Sequence, residues 1–148
     1  MTPLQITAMM NTVANGGVYR APAFVKGITD STGAVAAPLE PSAPRTVCDE
    51  KTAKVLRSML VSVVTEGIGA EARPAAGMAG GKTGTAQTGQ YDESGEELLN
   101  YWFSGFYPAH APRYTVTVLQ DGILKPELSS AAIFEKITEI LHVWDAAL

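Results

Sequence analysis

Cysteine is almost absent. Cys48 stands alone, which excludes an internal disulfide and any cysteine-based metal cage. Histidine is nearly as scarce, and His110 and His142 are too few and too far apart for the usual zinc spacings, so no metal site and no cofactor is implied. Basic charge is short as well: 11 Lys and Arg face 15 Asp and Glu, a formal net charge of −4. Without a cluster of cations there is no electrostatic footprint for DNA or RNA. No run of about 18 apolar residues occurs, and the opening MTPLQITAMM lacks the charged, apolar and cleavage regions of a signal peptide. The chain shows no targeting or transmembrane segment.

What is present amounts to one domain or part of one, since the chain has 148 residues. The apolar fraction of 46% includes 21 alanines, so the large side chains are sufficient for a core without much surplus. Thr2, Pro3 and Gln5 form a capping box with Pro at the first helical position. The chain therefore opens directly on a helix, which reads as a cut end. Leu4, Ile6, Met9, Met10 and Val13 recur at helical spacing until Asn15-Gly16-Gly17. Val18 to Ile28 reads as extended, and Asp30 to Gly33 as a hairpin turn into Ala34 to Leu39. Pro38 to Pro44, with its three prolines, is expected to be a surface connection. Asp49 caps a second helix whose Ala53, Leu56, Met59, Leu60, Val63 and Val64 fall on one face, with Lys51, Lys54, Arg57 and Ser58 opposite.

Three strands and a final helix complete the expected order. Ala75 to Gly89 is Gly-, Ala- and Thr-rich, suiting a strand whose backbone something must approach closely. After an acidic, solvated turn at Asp92 to Glu97, Asn100 to Tyr107 is apolar on both faces and Arg113 to Asp121 alternates, flanking a tight loop at Pro108 to Pro112. Trp102, Phe103, Phe106 and Tyr107 read as core of the central strand. Ser129 or Ser130 caps a last helix with Ile133, Phe134, Ile137, Ile140, Leu141 and Trp144 on its apolar face.

The densest chemistry lies in Gly80-Gly81-Lys82-Thr83-Gly84-Thr85-Ala86-Gln87. On an extended strand Thr83 and Thr85 project to one face, Lys82 and Gly84 to the other. Two hydroxyls beside a bare backbone suit an extended ligand that carries a carboxylate and adds as a further strand. A K-T-G tripeptide alone would read as a Gly-rich turn with an exposed lysine. A second reading is a phosphate-binding loop over Ala76 to Thr83, but such a loop must follow a buried strand and open a helix. Both flanks here are wrong for it.

The third reading is a resemblance. GGKTGTAQ resembles the K-T-G strand of penicillin-binding proteins, the serine D,D-transpeptidases of peptidoglycan synthesis. The similarity runs almost end to end: TPLQITAMMNTVANGG resembles the helix after the family's second active-site motif, TAKVLRSMLVSVVTEGIG the helix before the K-T-G strand, and WFSGFYPAHAPRYTVTV the two following strands. The Ala-Gln after the motif and the T-P-L-Q opening point to the class B, monofunctional branch. The resemblance implies that an active-site serine attacks the penultimate D-Ala carbonyl of a stem peptide, releases the terminal D-Ala and passes the acyl group to an amine. β-Lactams mimic the D-Ala-D-Ala end. By the same resemblance Lys82 orders proton transfer, Thr83 and Thr85 grip the carboxylate, the Thr85 backbone N–H serves the oxyanion, and Gly84 keeps the strand bare.

Two of the family's three motifs are missing. No serine, from Ser31 to Ser130, is followed by Lys at the third position or begins a Ser-x-Asn. The expectation is therefore a C-terminal portion of a transpeptidase domain spanning 1–148, inactive alone, whose parent sits at the extracytoplasmic face of the cell membrane with divisome or elongasome partners. The implied fold is α+β, an antiparallel three-stranded sheet packed with helices, a fragment of the β-lactamase/transpeptidase-like fold. Its last strand would present a bare edge open to self-association. A non-catalytic binding module for peptidoglycan stems is the remaining alternative.

Overall fold

The computed structural model describes residues 1–38 and 40–147. Helix α1 (Pro3–Ala14) begins where the Thr2 hydroxyl accepts the Gln5 N–H and the Gln5 side chain accepts the Thr2 N–H, the expected capping box. It ends at Gly16 and Gly17; the latter has φ +90°, and a Cβ there would lie 2.3 Å from the Cys48 carbonyl oxygen. Only glycine fits that approach.

The stretch after α1 is less regular than expected. Strand β1 (Val18–Tyr19) pairs with β4 (Arg45–Thr46), whereas β2 (Gly27–Thr29) pairs with β3 (Val35–Pro38) in a separate ladder. Val18 to Ile28 is thus not one extended run, and Pro22, which has no N–H to donate, lies in the break. The turn itself is as expected, with the Asp30 carboxylate accepting the Thr32 and Ala34 N–H groups. Leu39, the expected end of the second hairpin strand, lies outside the described residues. Residues 40–44 are exposed, as a surface connection requires.

Helix α2 (Glu50–Thr65) starts at Asp49, whose Oδ1 accepts the Thr52 N–H at 2.6 Å. Its apolar face is only partly covered: Ala53 and Val64 are buried, Leu60 and Val61 pack against the core, and Met59 is 58% exposed. The expected single buried stripe is corrected to a few contact points, because spacing defines a face without defining what lies against it.

The main sheet has the expected antiparallel order β5 (Gly80–Tyr91), β6 (Glu97–Tyr107), β7 (Tyr114–Ile123), with β6 central. Strand β5 begins at Gly80 and not at Ala75, since Gly77 with φ +78° turns the chain first. The Pro108 to Pro112 connection closes with the Arg113 N–H on the Tyr107 carbonyl. Helix α3 (Ser130–Ala146), capped by the Ser129 hydroxyl on the Ala132 N–H, covers one face of the sheet. There Phe103 and Phe134 meet with ring centroids 4.7 Å apart, beside Val64, Ala72, Ala79, Tyr107 and Ala131. Met10 and Ala14 of α1 cover Phe106 on the other. The result is the α+β arrangement of helices on both sides of a three-stranded sheet. Trp102, Phe103, Phe106 and Tyr107 do lie on the central strand, the last three buried. The far end of α3 departs from expectation, with Ile140 65% and Trp144 63% exposed.

Candidate functional site

Strand β5 is an edge of the sheet, hydrogen-bonded to β6 alone among the described residues. Its register sets Thr83 opposite Phe103 and Thr85 opposite Tyr101, while Lys82 pairs with Ser104 and Gly84 with Trp102. Directly opposed residues share a face. Thr83 and Thr85 therefore look toward α3, and Lys82 and Gly84 toward α1, where Ser104, Thr117 and Thr7 form a hydroxyl chain with contacts of 2.8 and 2.7 Å. The alternation read from the sequence holds.

The lysine nevertheless reaches its neighbour. Lys82 Nζ donates to the Thr83 carbonyl oxygen at 3.0 Å and to Thr83 Oγ1 at 3.2 Å. The cation curls over the strand edge, so positive charge and a hydroxyl converge there, as carboxylate binding requires. Thr83 and Thr85 line a cleft of about 250 Å³ together with Ile68, Glu71, Tyr101 and Ser129. Larger grooves lie on the outer face of α3 and along α2, and neither is lined by a residue of the motif.

The glycines divide into two kinds. A Cβ on Gly80 would sit 2.4 Å from Phe106 Cζ, and one on Gly81 would sit 2.5 Å from Phe103 Cζ. These two are bare because aromatic rings press on them. A Cβ on Gly84 would meet only Trp102 Cβ at 3.5 Å, an ordinary contact. Gly84 therefore leaves the strand open without being required by the core.

The far end of β5 is held by a contact that sequence reading missed. Glu97 was expected in a solvated turn; it instead begins β6, accepting from Gln87 Nε2 at 2.9 Å and from the Gly89 N–H at 3.1 Å. This brace sits at the irregularity between Gln87 and Tyr91. In the turn, the Ser94 hydroxyl and the Glu96 N–H hold the Asp92 carboxyl below its usual range. Glu71 and Ser129 were also not foreseen as cleft residues. The Ser129 hydroxyl donates to Glu71 Oε2, joining two segments distant in sequence, and no local pattern announces such a meeting.

No helix opens after Lys82, since β5 continues to Tyr91, so the phosphate-loop reading fails on its required strand-to-helix context. Residues 1–139 match the family model described as the penicillin binding protein transpeptidase domain. The chain belongs to that family. Among curated relatives, penicillin-binding protein PbpB of Mycolicibacterium smegmatis is 35% identical over 161 residues, covering 95% of this chain and 24% of that protein. Stage V sporulation protein D of Bacillus subtilis is 37% identical over 125 residues, covering 82% of this chain and 19% of that protein. The chain thus spans about a quarter or less of the length of these relatives. Among solved structures, apo penicillin binding protein 3 of Mycobacterium tuberculosis superposes with a TM-score of 0.84 at 29% identity, over 99% of this chain and 36% of that one. The same protein complexed with aztreonam gives a TM-score of 0.82. The chain thereby has the fold of the matching part of that penicillin-binding protein.

Proposed function

We propose that these residues form the carboxylate- and oxyanion-binding side of a serine D,D-transpeptidase that cross-links peptidoglycan stem peptides and binds penicillin. The carrying observation is the convergence of Lys82 Nζ and Thr83 Oγ1 at the edge of β5, with Thr85 on the same face as Thr83. In this reading the stem peptide adds along the open edge, its terminal carboxylate held by the Thr83 and Thr85 hydroxyls beside the Lys82 charge. The carbonyl oxygen of the penultimate D-Ala turns to the Thr85 backbone N–H. One such donor is worth about 3 kcal/mol of transition-state stabilisation. Lys82 orders the proton transfers that accompany serine attack, departure of D-Ala and capture of the acyl group by an amine.

The Ser-x-x-Lys and Ser-x-Asn groups do not occur within these 148 residues, so by themselves these residues form no acyl-enzyme. They serve as the C-terminal portion of a transpeptidase domain, in a parent protein at the extracytoplasmic face of the cell membrane, with divisome or elongasome partners. The relatives' names and the aztreonam complex of the structural neighbour support the penicillin-binding part of this reading. An NMR titration with N-acetyl-D-Ala-D-Ala tests it: shifts are expected at Lys82 to Thr85, with no covalent band from a fluorescent penicillin. Absence of those shifts overturns the site, and a labelled band overturns the inactivity.

A further inference from the structure

We infer that the cleft beside Thr83 and Thr85 sorts ligands by the charge on their C-terminal residue, with Glu71 favouring a cationic side chain over an anionic one. This rests on the transpeptidase reading and adds to it the class of terminal residue accepted.

Three observations carry it. First, Glu71, in the helical turn Ala70–Ala72, shares the cleft of about 250 Å³ with both threonines. A ligand carboxylate held by those hydroxyls brings the side chain on its own α-carbon into the same space, and that space exceeds the need of a methyl group. Second, Glu71 is fixed on the cleft wall, because its Oε2 accepts the hydroxyl of Ser129 at the N-cap of α3. Third, its charge has no ion-pair partner: the described residues show one salt bridge, between Arg113 and Asp145. The nearest cation in sequence, Arg73, donates to the Thr65 carbonyl instead, and Lys82, held at Thr83, is matched in the proposed pose by the ligand's own terminal carboxylate. Lys125 and Glu127, which flank the cleft residue Pro126, are both exposed and of opposite sign, so they cancel to first order.

The test compares N-acetyl-D-Ala-D-Ala with the same peptide ending in D-Lys or in D-Glu, by NMR titration of the chain. D-Lys is expected to bind about two- to fivefold more tightly than D-Glu, the size of a solvent-exposed charge pair. The gap should close as the Debye length shrinks to about 3 Å in 1 M salt. Glu71→Gln abolishes it and Glu71→Lys reverses it. Equal binding of D-Lys and D-Glu, a salt-independent gap, or a gap unchanged in E71Q overturns the inference while leaving the transpeptidase reading standing. If none of the three peptides moves the Lys82 to Thr85 signals, it is the transpeptidase reading that fails, and the inference with it.

Discussion

Lys82 Nζ lies 3.2 Å from Thr83 Oγ1 although the two side chains leave β5 on opposite faces. The lysine stem crosses the strand edge, and it can do so because β5 has no outer neighbour among the described residues. A ligand adding along that edge meets the ammonium and the hydroxyl as one unit.

That coupling predicts non-additive substitutions. Lys82→Met and Thr83→Val each remove a polar head and keep most of the side-chain volume. Hydrogen bonds to charged groups are worth about 1.5–3 kcal/mol, so each variant is expected to weaken N-acetyl-D-Ala-D-Ala binding about tenfold or more. The double variant should lose less than the product of the two. Titrations across the four proteins measure this, and strict additivity would show that the groups act separately.

The glycines of β5 predict opposite phenotypes within one motif. Gly81→Ala drives a methyl against Phe103 Cζ at 2.5 Å and the Ser104 carbonyl oxygen at 2.8 Å, so thermal unfolding should show a loss of about 1–3 kcal/mol. Gly84→Ala meets only an ordinary contact and should leave the melting temperature nearly unchanged while weakening ligand binding. Equal destabilisation by the two would contradict the division of roles.

Asp49 gives a pH signature. The Thr52 N–H it caps holds its carboxyl below the usual range, whereas in the unfolded chain it titrates near about 3.9. A lowered folded value means the contribution is full above the unfolded pKa and vanishes as pH falls through the folded one. Asp49→Asn keeps an acceptor without the proton linkage. Between about pH 5 and pH 2 the wild type should therefore lose more stability than D49N, as followed by circular dichroism. Parallel losses would refute it.

Strand β7 ends the sheet with no partner beyond it among the described residues. Such edges template pairing, so the 148-residue chain is expected to self-associate with rising concentration in light scattering. Amides along Val116 to Leu119 should gain exchange protection in step. A concentration-independent monomer would count against this.

The three helices, the three-stranded sheet and the Lys82 to Thr85 strand were legible because their signals are local: Thr2, Asp49 and Ser129 cap helices, and alternation assigns Thr83 and Thr85 to one face. Burial was less legible. Met59, Ile140 and Trp144 have the spacing of core residues yet stand largely exposed, because periodicity names a face and only tertiary packing decides what covers it. The pairing of β1 with β4, and the hydrogen bond from Ser129 to Glu71, depend on partners remote in sequence. No window of residues contains both halves of such a contact.

Gly80 and Gly81 let the ring ends of Phe106 and Phe103 press close on the strand that continues into Lys82 and Thr83. The residues proposed to meet the ligand thus continue directly from a segment packed on the buried aromatic core. Conformational entropy lost in fixing Thr83 has then been spent during folding, so little of it is charged against the affinity of an arriving peptide.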